Sequence, residues 1–391
     1  MTHLFNTYAR LPVSMVSGSG AWLTDSSGNE YLDAISGLGV CALGHAHPEI
    51  AETIASQAHT LIHTANIVGL PLQEALAEKL AFISGLDRVF VANSGAEANE
   101  CALKLARLHA RERSIERPAV LVTDRSFHGR TLAGLSASGN PAIQSGYGPL
   151  VEGFVHVPFG DAAAAARAFA THANIVAVLV EPIQGEGGVC VPPDDYLPAL
   201  RTLCNEHDAL LVFDEIQTGL NRTGQWFAHQ HHEGLKPDVM TVAKALGNGM
   251  PIAACLAREE VAGLMKPGSH GTTFGGNPLA CATALKVVEI MERDSLGQQA
   301  TDRGFRLINR LRGNLDGLPP VVDIRGRGMM IGVQLDRDCP EIRDDALAQN
   351  VIVNVTRGST IRLLPPLIAS DDEVDRIADV VAGSIRARYC P

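Results

Sequence analysis

Short, mostly apolar runs recur through the middle of this chain, each ending in a charged or glycine-rich turn. They are Arg88-Val-Phe-Val-Ala-Asn93, Ala119-Val-Leu-Val-Thr123, Asn174-Ile-Val-Ala-Val-Leu-Val180, Leu210-Leu-Val-Phe213 and Val239-Met-Thr-Val-Ala243. Such runs are too short for helices and do not alternate as a half-exposed sheet would; they suit strands covered on both faces. Helical patterns follow the first run to about residue 111, and cover 161–170 and 196–207. The repeated strand–helix–strand order predicts an α/β fold, a mostly parallel central sheet with helices on both faces. Ile252-Ala-Ala-Cys-Leu256 reads as one more strand.

What stands at the ends of these strands suggests chemistry. The Leu210 run stops in Asp214 and Glu215, and open α/β sheets bind ligands at the carboxyl ends of their strands. After the Val239 run comes a lone Lys244, followed by Ala-Leu-Gly-Asn-Gly-Met-Pro251. Taken singly, the carboxylates could cap a helix or ligate a metal, and the lysine could be solvated. Together they fit one cofactor. Pyridoxal phosphate needs a lysine to hold its aldehyde and an aspartate to face its pyridine nitrogen.

Other strand ends carry further candidates. Ser94-Gly-Ala-Glu-Ala-Asn99 opens a helix, where Ser94, Gly95 and Ala96 offer backbone N–H groups and a hydroxyl to an anion. It lacks the Gly-Lys-Ser/Thr of a P-loop and, taken alone, reads first as a plain N-cap. Ser126-Phe-His-Gly-Arg-Thr131 offers an aromatic ring and Arg130, a natural clamp for a carboxylate. Gly271-Thr-Thr-Phe-Gly-Gly-Asn277 is a loop of hydroxyls and glycines. Arg362, inside the apolar Thr360-Ile-Arg-Leu-Leu-Pro-Pro366, needs a carboxylate partner from protein or substrate. His45 and His47 sit in a turn expected to pack near the site. His229, His231 and His232 lack a metal-ligand spacing, and no metal is expected.

At 391 residues the chain suggests two domains. Residues 1–45 are expected to join the smaller unit, 46–278 to form the large one, and 279–391 to form a small α+β domain. The long helical pattern from residue 279 links the two. A hairpin is expected over 21–33, helices over 48–61, 71–82, 279–293, 296–315, 344–349 and 371–386, and strands over 321–324, 329–335, 351–355 and 360–364. Net charge is −11 with no basic block, which argues against nucleic acid. No apolar run reaches membrane-spanning length, and residues 1–10 lack a signal-peptide pattern. The eight cysteines are scattered, which points to reduced thiols and a cytoplasmic location.

In order along the chain, Ser94-Gly-Ala-Glu-Ala-Asn99, Phe127-His-Gly-Arg130, Glu181-Pro-Ile-Gln-Gly-Glu186, Phe213-Asp-Glu-Ile-Gln217, Lys244-Ala-Leu-Gly and the Gly271 loop resemble the class III (fold type I) pyridoxal-phosphate aminotransferases. The likeness is greatest to the acetylornithine aminotransferase branch. That resemblance implies roles residue by residue. Lys244 would hold the cofactor and carry the proton, Asp214 would pair with the ring nitrogen, and Gln217 would sit by the phenolic oxygen. Phe127 would stack on the ring. Ser94, Gly95 and Ala96 would hold the phosphate, joined by Thr273 from the other subunit of a homodimer. Arg130 and Thr272 would bind substrate. The chain departs from the commonest pattern at Ala96, Thr272 and Phe274, where Thr, Ser and Tyr are frequent.

The same resemblance implies how one site takes two substrates. Glutamate carries a carboxylate on its reacting carbon, and Arg362 would bind it. Acetylornithine carries none there, so Glu186 would pair with Arg362 instead. The activity implied is transfer of the terminal amino group of N2-acetylornithine to 2-oxoglutarate. Ornithine, succinylornithine, succinyldiaminopimelate and 4-aminobutyrate are alternative donors. A non-catalytic binding protein of the same fold, or a metal- or nucleotide-binding enzyme, are alternatives of a different class.

Overall fold

The computed structural model describes residues 3–390; Met1, Thr2 and Pro391, the outermost residues of the two expected terminal segments, lie outside them. Fifteen strands are formed among the described residues. β1 (Met15–Ser19), β2 (Trp22–Asp25) and β3 (Glu30–Asp33) open the chain. β4 (Arg88–Ala92), β5 (Ala119–Thr123), β6 (Phe154–Val157), β7 (Ile175–Val180), β8 (Leu210–Asp214), β9 (Val239–Val242) and β10 (Ala253–Ala257) follow. β11 (Val321–Arg327), β12 (Met330–Leu335), β13 (Val351–Ile352), β14 (Asn354–Thr356) and β15 (Thr360–Leu363) complete the set.

The central sheet has seven strands in the order β4-β10-β9-β8-β7-β5-β6. β5 to β9 pair in parallel, while β10 runs antiparallel to both β4 and β9. The carboxyl ends of β4, β5, β7, β8 and β9 therefore share one edge. Each strand feeds both faces by its period of two. Leu211 and Phe213 of β8 pack with the helices Ala162–Thr171 and Tyr196–Glu206. Leu210 and Val212 pack with the helix Gly95–Glu112 on the opposite face. Asp214 continues that second row, so its side chain meets the Gly95–Glu112 helix.

Two smaller sheets flank this one. One is β1-β2-β3-β13, in which the N-terminal strands pair with a strand from residues 351–352. The other is β11-β12-β15-β14, backed by the helices Leu296–Leu315 and Asp371–Tyr389. The single strand expected over 351–355 is divided. β13 joins the first sheet and β14 the second, with Val353 between them. An apolar run carries no mark of which sheet each residue pairs with, so this break is absent from the pattern. One apolar core runs from Leu32 through Leu76, Met240 and Leu311 to Ile361 and Ile385, joining the outer sheets to the central one. No helix among the described residues is long and apolar enough to cross a membrane.

The C-terminal elements lock onto the loop after β8 through backbone. Arg222 is 1% exposed and donates to the carbonyls of Met329 (3.1 Å) and Pro365 (2.5 Å). Gly328, beside Met329, is pressed between the backbone of Arg222 and Thr223 and the helix at Gly304. A Cβ on Gly304 would strike the Gly328 carbonyl, which is backbone and cannot step aside. Alanine in a helix interior normally gains about 1 kcal/mol over glycine. Overpacking against fixed backbone costs about 1–3 kcal/mol or more and should win. Gly304→Ala is expected to lower the urea midpoint without changing the slope; a raised midpoint would show that the two segments can separate freely.

Candidate active site

The shared edge of the central sheet opens into a cavity of about 390 Å³, within the range of small-molecule sites. Ser94, Gly95 and Ala96 reach it from the end of β4, and Phe127 and Arg130 from the loop after β5. Glu181 and Glu186 come from the end of β7, Asp214 and Gln217 from β8, and Lys244 from β9.

Asp214 is 3% exposed and wrapped in donors. Its Oδ2 accepts from Asn99 Nδ2 and His128 Nδ1, both at 2.8 Å, and its Oδ1 accepts from the Ile216 N–H at 3.1 Å. Asn99 is fixed in turn by Thr241, whose hydroxyl donates to Oδ1 at 2.7 Å. The other ring nitrogen of His128, Nε2, is buried without a partner among the described residues. A carboxylate held this way stays available for a cationic group in the cavity.

Lys244 begins a short 3₁₀ turn with φ of +44°, a left-handed conformation costly for a residue with a side chain. Its amine makes no hydrogen bond or ion pair among the described residues. Burial pulls its pKa down to about 8, against the opposing pull of Glu186. Roughly a tenth is therefore the free, nucleophilic amine at pH 7, far more than for an ordinary lysine.

The N-terminus of the Gly95–Glu112 helix is a capping box, so the N-cap alternative and the anion-site reading coexist. Ser94 Oγ accepts from the Glu97 N–H, and Glu97 Oε2 accepts from the N–H groups of Asn93 (2.7 Å) and Ser94 (3.0 Å). That leaves the N–H groups of Gly95 and Ala96 unspent among the described residues, on the cavity wall at the positive end of the helix.

Arg362 lies just behind the cavity, 1% exposed. Its Nη1 is 2.6 Å from Glu186 Oε1 and 3.3 Å from Gln217 Oε1. Burial works to raise the Glu186 carboxyl, but Arg362, with Lys244 and Arg130, more than offsets this, and the net shift is downward. Arg130 is exposed, its guanidinium 5.6 Å above the Phe127 ring, and among the described residues it has no carboxylate partner. Thr272 and Thr273 stand outside this cavity. Thr272 Oγ1 is engaged with Asn93 (3.1 Å) and the Gly275 N–H (3.2 Å), and Thr273 is exposed on the surface. Of the twelve residues given binding or catalytic roles in the sequence, nine therefore line one cavity, one lies directly behind it and two stand apart from it.

The family description "Aminotransferase class-III" matches residues 5–385. The chain is a class III aminotransferase. The aminotransferase is 48% identical over 385 residues to the acetylornithine aminotransferase of Nitrosomonas europaea, covering 98% of each protein. It is 45% identical over 378 residues to that of Methanothermobacter thermautotrophicus, covering 97% of this chain and 95% of the relative. Among solved structures it resembles the ornithine aminotransferase of Toxoplasma gondii (TM-score 0.95, 36% identity, 98% and 93% of the two chains). It also resembles the acetylornithine aminotransferase of Elizabethkingia anophelis (TM-score 0.89, 33% identity, 98% and 96%). Its cofactor is pyridoxal phosphate, and the residues fit that group: an unpaired buried amine, a buried carboxylate and two unspent N–H groups face one cavity.

Three residues that hold this aminotransferase's site carry no assigned role in the sequence reading. Asn99 and His128 lie inside motifs named above. The only trace of Asn99 is a polar residue on the buried face of an amphipathic helix. Glu181, 5% exposed, directly follows β7 much as Asp214 closes β8, and that parallel is the available signal. Its Oε2 accepts from the Phe127 N–H (3.1 Å) and its Oε1 from the Gly185 N–H (3.2 Å), so one carboxyl ties the Phe127 loop to the Glu186 turn. His45, by contrast, donates to Asp33 at 2.9 Å, which raises its pKa to about 9. Among the described residues no group of three or more His, Cys, Asp or Glu is placed to hold a metal.

Burial pushes the Glu181 carboxyl up to about 7 from an ordinary 4.5, with His128 opposing and Asp214 adding to the rise. A raised carboxyl pKa means the folded chain keeps a proton that the unfolded chain releases. This contribution to stability is complete below pH 4.5 and is lost as pH rises through about 7. Its size is on the order of 3 kcal/mol. The cofactor-stripped Glu181→Gln variant should therefore lose less stability between pH 4.5 and 8 than the parent, measured by urea unfolding. Parallel curves for the two proteins would show that Glu181 does not titrate there.

Proposed function

We propose that the chain transfers the terminal amino group of N2-acetylornithine to 2-oxoglutarate, giving N-acetylglutamate 5-semialdehyde and glutamate. The observation that carries the dual-substrate reading is the Glu186–Arg362 pair at 2.6 Å beside an unpaired Lys244. The choice of acetylornithine is supported by relatives of that name at 42–48% identity along nearly the whole chain.

Pyridoxal phosphate, when bound, supplies an aldehyde for the amine and a ring that accepts electrons. Lys244 would hold it, Asp214 would face its ring nitrogen, Phe127 its ring and Gln217 its phenolic oxygen. Ser94, Gly95 and Ala96 would take its phosphate. Lys244 Nζ then serves as the base that removes a proton from the substrate carbon and returns it. A pKa near 8 suits an amine that must both take and give at neutral pH. Arg130, exposed and without an acid partner, is placed to clamp the carboxylate remote from the reacting amine.

Glu186 is the exchangeable part. With a donor lacking a carboxylate beside its reacting amine, the pair stays closed and the buried guanidinium is satisfied. With glutamate, the incoming α-carboxylate replaces Glu186 on Arg362. Removing one partner of a fully buried pair costs about 3–5 kcal/mol. Glu186 is 35% exposed, so water softens that penalty here.

Thr272 and Thr273 are read as serving a neighbouring subunit. Their loop stands beside exposed apolar side chains, Ile62 (53%), Ile67 (92%), Val68 (53%) and Phe274 (63%), a face suited to a second copy in a homodimer. The chain's scattered free thiols suit a cytoplasmic location.

The first test is a set of single half-reactions, following the cofactor's visible absorbance as each donor is added. Acetylornithine should react at least about tenfold faster than ornithine, succinylornithine or 4-aminobutyrate. A faster response to any of the others would replace the donor while keeping the chemistry, and a Lys244→Ala variant should respond to none. Glu186→Ala should raise the preference for glutamate over acetylornithine by about tenfold. An unchanged ratio would sink the exchange.

A further inference from the structure

The guanidinium of Arg362 is held on its far side by a residue with no assigned role. Asn354 on β14 stands directly opposite Arg362 on β15 in the strand register. Its Oδ1 accepts from Arg362 Nε at 3.1 Å and from Nη2 at 2.9 Å. An arginine has only donors, so the amide oxygen must face it. One edge of the guanidinium is thus occupied by Asn354, and only the Nη1 side remains for Glu186. Two residues along the same strand, on the same face, Thr356 donates to the Glu186 carbonyl at 2.7 Å. β14 therefore holds both halves of the pair. It pins the Glu186 backbone, leaving only that side chain to swing, and it fixes the plane of Arg362.

The chemistry of the anchor matters as much as its position. A carboxylate at 354 would orient the guanidinium equally well but would cancel its charge. A neutral amide orients it and leaves one full positive charge to be shared out, to Glu186 in one half-reaction and to a substrate α-carboxylate in the other. We propose that Asn354 is the positioning residue that aims Arg362 at the α-carboxylate of the amino-acid substrate without neutralising it. This rests on the reading of Arg362 as the receiver of that carboxylate.

Three variants of the holoenzyme test it: Asn354→Leu, Asn354→Asp and, as reference, Arg362→Ala. Each is followed in single half-reactions, with glutamate and separately with acetylornithine, so that the 2-oxo acid acceptor does not enter the second measurement. For Asn354→Leu, the glutamate KM should rise about tenfold or more while kcat, and both parameters for acetylornithine, stay within about threefold. Asn354→Asp keeps both acceptor contacts, so it should fold even if the leucine variant does not. It should raise the glutamate KM by a similar factor, through charge alone. A glutamate KM within threefold of the parent in Asn354→Asp, with Arg362→Ala strongly impaired for glutamate, would overturn the proposal and leave the Arg362 reading standing. If Arg362→Ala itself handles glutamate as well as acetylornithine, the reading of Arg362 fails and the proposal falls with it.

Discussion

A carboxyl group on the last residue of a buried strand has to be surrounded by hydrogen-bond partners, and much of this site follows from satisfying Asp214. Its partners come from separate parts of the chain: Asn99 from the helix after β4, His128 from the loop after β5, and the Ile216 N–H from the turn after β8. Meeting that demand brings the helix N-terminus, with its two free N–H groups, and the Phe127 loop to the same edge of the sheet. Lys244, one strand over, is brought to the same cavity by the parallel pairing of β8 with β9. The arrangement is cooperative: loosening one donor would leave a buried charge short of partners.

Three arginines near the site show how the same side chain is set to different tasks by what faces it. Arg222 gives its Nη1 to the carbonyls of Met329 and Pro365, burial lowers its pKa to about 10, and it serves as a fixed strut. Arg362 is equally buried, but one of its partners is the side chain of Glu186, which is partly exposed and can leave. Arg130 is exposed over an aromatic ring and open to a ligand. Burial sets the cost of leaving each charge alone, and the mobility of its partner decides whether that cost can be deferred to a substrate.

Much of this is legible in the chain. Apolar runs covered on both faces have a strong signature, and their ends necessarily fall together in a parallel sheet, so the amino-acid order alone groups Asp214, Lys244, Ser94 and Phe127. Pairing between distant residues is not legible. The reversal of β10 and the division of 351–355 between two sheets depend on register, which apolar composition does not encode. Asn354 is an ordinary polar residue until β14 is laid against β15. Glu181 has the look of a loop motif's first residue, and its two backbone contacts reach residues brought near only by the fold. Thr272 and Thr273 join the site by likeness alone, and within one chain they stand outside the cavity.

Lys244 sits in left-handed backbone and holds a charge that burial disfavours, and both costs are borne by the folded state alone. A glycine or asparagine at 244 would relieve the first, and any uncharged side chain the second. Activity and stability therefore pull in opposite directions at this one position.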